Sequence, residues 1–132
     1  MKPCVVYFSR TGNTKRMAEA ISKATKAPCF DMTSCEPSFV ENFDLLIIGT
    51  PVEGFNPAKE AKSFVENLPK TEGKKAIMFC TYALWKGRTF GALKKVLANK
   101  GYVTILEVSK KGMKPDQPAD FSESIEKIAE AL

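Results

Sequence analysis

Five apolar segments punctuate the chain, at residues 4–8, 27–32, 45–49, 76–80 and 103–108. Those at 45–49 and 76–80 are continuously apolar, as strands buried on both faces are. The segment at 27–32 carries the weakest pattern. Between the segments, apolar residues recur at helical spacing. Met17, Ala20, Ile21 and Ala24 fall at i, i+3, i+4 and i+7, and Ala61, Phe64, Val65 and Leu68 repeat that order. Phe90, Leu93 and Leu97 form a third stripe; Phe121, Ile125, Ile128 and Leu132 form the last. Residues 34–42 leave room for only a short helix. Asn56-Pro57 reads as a helix N-cap followed by an N1 proline, and Gly101 as the C′ residue after the third stripe. Asp120 with Glu123 resembles a capping box.

Strand and helix thus alternate five times with short connections and no linker, which predicts one α/β domain over residues 1–132. Such alternation builds a parallel sheet with helices on both faces. Ligands of these sheets bind at the carboxyl edge of the strands, where strand order reverses. The informative loops are therefore 9–14, 50–56 and 81–88, each following an apolar segment. Their composition is also unusual.

Bulk composition excludes several classes. At 132 residues, 44% hydrophobic and 27% charged, the chain suits a globular domain with its own core. No apolar run is long enough to span a bilayer, and MKPCVVYFSR has no signal-peptide core, so a cytoplasmic location is expected. There is no histidine, and Cys4, Cys29, Cys35 and Cys80 show no metal-ligand spacing. A zinc or non-haem iron site and Ser-His or Cys-His catalysis are excluded on those grounds. Cys4, Cys29 and Cys80 read as small buried hydrophobes. The net charge of +5 is spread in pairs rather than runs, as on solvated helix faces.

Ser9, Arg10, Thr11, Gly12, Asn13 and Thr14 place three hydroxyls, an amide and a glycine where a strand hands over to a helix. Backbone amides at a helix N-terminus attract an anion, and a phosphate gains on the order of 1 kcal/mol from the terminus alone. A hydroxyl-rich turn that merely caps the helix is the bland alternative. GxxxxGK[ST] and GxGxxG are both absent, which weakens triphosphate and dinucleotide readings. SxTGNT after a first strand, DLLIIGTPVEG at the third and KKAIMFCTYALWKG at the fourth resemble flavodoxins over essentially the whole chain. The resemblance implies a doubly wound five-stranded parallel sheet of order 2-1-3-4-5. It also implies an electron carrier that holds FMN non-covalently and cycles it through semiquinone and hydroquinone forms. The chain is too short for the insertion in the fifth strand that marks long-chain members.

By the same resemblance, Thr50, Pro51, Val52, Glu53, Gly54, Phe55 and Asn56 contact one face and the N5 edge of the isoalloxazine. Glu53 to Asn56 match the family's redox-sensitive turn, with the Gly54 carbonyl as acceptor from the reduced ring. Thr81, Tyr82, Ala83, Leu84, Trp85 and Gly87 complete the cofactor-binding set. An aromatic ring from this loop stacks on the flavin, and both Tyr82 and the single tryptophan, Trp85, are candidates.

The chain departs from its mostly acidic relatives in charge. Arg10, Lys15, Arg16, Lys86 and Arg88 cluster in and beside the loops. A basic surround would make the second reduction easier, with Glu53 acting in the opposite sense. It also suits a redox partner with an acidic docking face, such as a ferredoxin or an oxidoreductase. Two readings compete with the carrier. A small FMN-dependent NAD(P)H:quinone oxidoreductase would need longer loops and a proton donor, for which Tyr82 is available. A nucleic-acid module would interleave aromatics with lysines, which this chain does not.

Overall fold

The computed structural model describes residues 2–111 and 120–132. The elements run β1 (Pro3–Tyr7), α1 (Asn13–Thr25), β2 (Cys29–Asp31), two 3₁₀ turns (Met32–Ser34 and Pro37–Asn42), β3 (Leu45–Glu53), β4 (Asn56–Pro57), α2 (Lys59–Glu66), β5 (Lys74–Tyr82), α3 (Thr89–Asn99), β6 (Tyr102–Lys111) and α4 (Ser122–Ala131). The sheet order is β2-β1-β3-β5-β6, all parallel. With the two-residue β4 set aside, this is the expected 2-1-3-4-5. β4 pairs antiparallel with the end of β3 alone.

Successive strand residues point to opposite faces, so each strand feeds two cores. Val6, Leu46, Ile48, Ala76 and Met78 face α2 and α3, packing on Ala61, Phe64, Leu93 and Leu97. Val5, Tyr7, Leu45, Ile47, Ile77 and Phe79 face α1 and α4, packing on Met17, Ile21, Phe121 and Ile128. That double burial explains the continuous apolar runs in β3 and β5. Edge strand β2 is half-buried throughout and pairs only with β1, which accounts for its weak signal.

Three expectations are corrected. β3 and β5 do not stop at Gly49 and Cys80 but continue to Glu53 and Tyr82. Pairing of Pro51 with Thr81, and of Val52 and Glu53 with β4, sustains the extension. Asn56-Pro57 is not the start of α2: both residues lie in β4, and Ala58 caps the helix. The cap of α4 falls at Phe121, although the Asp120 carboxylate still accepts the Ser122 amide at 2.9 Å. Gly101 does end α3, with φ of 90°.

Candidate functional site

The strand order reverses at β1, which has β2 on one side and β3 on the other. The loops after β1, β3 and β5 therefore meet at one edge. In the first, Gly12 takes φ of 104°, a left-handed conformation that glycine adopts without strain, and serves as the cap of α1. Its amide donates to Ser9 Oγ at 3.1 Å. No side chain caps α1, and its first turn has no acidic residue. A Cβ added at Gly12 would meet nothing within 4 Å, so the space on that side of the cap residue is open. Thr11 is exposed beside it.

Thr14 turns inward. It is 1% exposed, and its hydroxyl lies 2.8 Å from that of buried Thr81. This contact ties the first loop to the third. Thr81→Val is expected to cost about 1 kcal/mol, since one buried hydroxyl loses its partner. Thr14→Val should add little once Thr81 is gone, and chemical denaturation of the single and double variants checks that coupling.

The second loop is a hairpin. Gly54 and Phe55, at φ of 58° and 63°, form its two-residue turn, and both are left-handed as a type I′ turn requires. A phenylalanine in that conformation costs about 1 kcal/mol. The third loop holds it there. The Phe55 carbonyl accepts the Arg88 amide at 2.8 Å, and its ring lies 5.5 Å from the Trp85 ring. Gly87 is left-handed beneath it, and a Cβ there would sit 2.4 Å from Phe55 Cβ. The base of the hairpin is fixed by buried Thr50, whose hydroxyl donates to the Pro51 carbonyl at 2.8 Å and accepts the Ala58 amide at 3.0 Å. Asn56 donates its side-chain amide to the Gly54 carbonyl at 3.0 Å.

In the third loop Tyr82 is half-buried at the end of β5, while Ala83, Leu84 and Trp85 are exposed. Phe55, Leu84 and Trp85 make an exposed apolar rim, with Leu84 84% and Trp85 62% accessible. The Lys86 ammonium reaches Ser109 at 3.4 Å and lies 5.7 Å from the Phe90 ring.

Arg10 engages two acids. Its Nε and Nη2 donate to the Glu53 carboxylate at 2.7 and 2.8 Å, and Nη2 also donates to Glu60 at 3.1 Å. The hydrogen bond from Arg10 holds the Glu53 carboxyl below the usual range. At Glu60 desolvation would raise the value, but the Arg10 bond, a backbone bond and nearby cations together lower it. Glu60 escapes sequence reasoning because it lies within α2, outside the loops.

Burial pushes the Cys4 and Cys80 thiols up to about 12, so neither offers a thiolate. Among the described residues no cluster of His, Cys, Asp or Glu suits a metal ion. A cavity of about 750 Å³ opens between the end of β2 and α2, lined by Met32, Cys35, Lys59 and Phe64 among others. None of the three loops lines it.

A family model described as a flavodoxin domain matches residues 4–114. The flavodoxin of Megasphaera elsdenii is 30% identical over 135 residues, covering 96% of this chain and 98% of that protein. The chain belongs to the flavodoxin family. The flavodoxin of Clostridium beijerinckii is 30% identical over 109 residues, covering 76% of this chain and 79% of its own. The solution structure of two-electron reduced Megasphaera elsdenii flavodoxin superposes with a TM-score of 0.77 at 26% identity, covering 97% and 98% of the two chains. As a member of that family the protein is an FMN-binding electron-transfer protein, and the oxidoreductase alternative is not favoured. The residues present suit FMN: the α1 terminus, with no side-chain cap bond and open space beside Gly12, suits a phosphate, and the aromatic rim suits a flat ring.

Proposed function

We propose that this flavodoxin-family chain acts as one unit over residues 1–132, as a cytoplasmic carrier whose three edge loops hold FMN. Ser9, Thr11, Gly12, Asn13 and Thr14 hold the terminal phosphate with hydroxyls and helix amides. The hairpin from Thr50 to Asn56 and the loop from Thr81 to Gly87 hold the ring. When bound, FMN supplies one- and two-electron chemistry; the protein positions it and shields it from water. The observation that carries the reading is the N-terminus of α1 behind left-handed Gly12, where the cap residue makes no side-chain cap bond and the first turn holds no acidic residue. No helix among the described residues is long and apolar enough to cross a membrane.

Titrating the apo-protein with FMN and with riboflavin, following flavin fluorescence, tests the site. Quenched binding with FMN preferred supports it; failure to bind either flavin overturns it. Phe55, Leu84 and Trp85, flanked by Lys86 and Arg88, form the face offered to a redox partner. An acidic partner of ferredoxin type or an acidic oxidoreductase suits that face, and electron transfer to it should slow as salt rises. A rate independent of salt would remove the charge argument.

The bond from Asn56 to the Gly54 carbonyl has a redox consequence under this reading. That carbonyl is the acceptor the family resemblance assigns to the reduced ring, so Asn56 competes for it. Asn56→Ala is expected to make bound FMN modestly easier to reduce, as read by spectroelectrochemical titration.

A further inference from the structure

A guanidinium in a phosphate loop would ordinarily be taken for a phosphate ligand. Arg10 is committed elsewhere. Its bidentate fork meets Glu53 on one edge, while Nη1 and Nη2 both approach Glu60 at 3.1 Å. The guanidinium carbon lies 4.8 Å from the centroid of the buried Phe8 ring, which fixes the plane of the fork. Three separate elements therefore converge on one side chain: the loop after β1, the last residue of β3 and the first turn of α2. Glu53 is also the residue that enters the Gly54-Phe55 turn.

A single exposed ion pair contributes little, but a bidentate fork shared by two carboxylates is the geometry in which such a contact holds separate elements together. It also sets the local charge. Two carboxylates at the hairpin base face the Arg10 guanidinium, which alone hydrogen-bonds both, while Lys59 acts on them only through space; without Arg10 most of that negative charge would stand uncompensated beside the ligand edge.

We propose that Arg10 is a positioning residue rather than a phosphate ligand: it straps the β3–β4 hairpin to the phosphate loop and neutralises Glu53 next to the ring site. The proposal rests on the three-loop reading of the FMN site. It assigns Arg10 an effect on how readily bound FMN accepts electrons and on the order of the hairpin. It assigns Arg10 no share in distinguishing FMN from riboflavin.

The test compares Arg10→Gln, Glu53→Gln and the double variant. Potentials are read in the FMN-loaded protein, and amide hydrogen exchange of residues 54–56 in the apo-protein. Arg10→Gln is expected to shift the potentials negative and Glu53→Gln to shift them positive, with the double variant lying between. All shifts should shrink at high salt. Exchange at residues 54–56 should quicken in Arg10→Gln, and the FMN-to-riboflavin affinity ratio should stay within about a factor of five of the parent. A tenfold or greater loss of that ratio in Arg10→Gln, with potentials unmoved, would make Arg10 a phosphate ligand and overturn the proposal while leaving the site in place. Unchanged potentials together with unchanged exchange would also overturn it. If the parent protein itself fails to prefer FMN, the phosphate-loop reading is what fails, and hairpin exchange in the apo-protein still decides whether Arg10 is a strap.

Discussion

Riboflavin is expected to bind this protein at least about a hundredfold more weakly than FMN, because it lacks the phosphate that the first loop is proposed to hold. Hydrogen bonds to a charged acceptor contribute about 1.5–3 kcal/mol each, and a helix N-terminus up to about 1 kcal/mol more. Two such bonds plus the terminus, less the cost of desolvating the phosphate, leave about 3–4 kcal/mol, a factor of roughly 10²–10³. The available donors are the hydroxyls of Ser9 and Thr11 and the first-turn amides of α1, which no side chain caps. Thr14 contributes less through its hydroxyl, which Thr81 already engages at 2.8 Å. Isothermal titration of the apo-protein with both flavins measures the ratio directly. A ratio near unity would mean that the ring alone carries binding and that the α1 terminus is not a phosphate site. Raising the salt should narrow the ratio only modestly, since most of the effect is in short, directed hydrogen bonds.

The charge of the site is where sequence and structure diverge most usefully. Five basic residues in and beside the loops suggest a uniformly positive surround and an easier second reduction. Folding alters the local sum, because Arg10 faces the two carboxylates of Glu53 and Glu60. Lys15 and Arg16 follow the first loop, and Lys86 and Arg88 lie in the third, beside the exposed rim proposed as the docking face. On that proposal the basic character of the third loop bears on docking.

The legible parts of the fold share one physical cause. Strands buried on both faces must be apolar at every position, so the cores of β3 and β5 announce themselves, and the helices between them show their buried stripe. The illegible parts depend on contacts distant in sequence. Asn56-Pro57 has good chemistry for a helix start, yet pairing with Val52 and Glu53 makes it β4. The turn from Glu53 to Asn56 is legible through Gly54, but the strand pairing on either side of it has no local signal, since the turn places Phe55 where Asn or Gly is usual. The first loop was legible because hydroxyls, an amide and a glycine at a strand-to-helix junction have few other uses. Glu60 was not, because a carboxylate in the first turn of an amphipathic helix looks like ordinary helix chemistry. Only the packing of α2 beside the loops brings it to Arg10.

Gly49→Ala should be the most damaging single methyl that can be added to this chain's central strand, lowering stability by about 2–3 kcal/mol. Gly49 pairs with Tyr7 of β1 on one side and Phe79 of β5 on the other. A Cβ built there would lie 2.1 Å from the Phe79 ring, and Phe79 is fully buried among the side chains that face α1 and α4. The backbone of Gly49 needs no unusual φ, so the cost is one of space alone. An interior packed to crystal density cannot move a phenyl ring by that distance without displacing its neighbours. The melting temperature should fall by about 10 °C, as followed by circular dichroism. The damage reaches the site, because Thr50 and Thr81 lie in the two strands that the ring would force apart, one residue beyond Gly49 and two beyond Phe79. FMN affinity should therefore fall together with stability. Phe79→Leu in the same chain removes the obstructing ring and should return part of both losses, whereas Phe79→Leu alone leaves a void and destabilises. If the double variant is no more stable than Gly49→Ala, the ring is not what excludes a side chain at position 49.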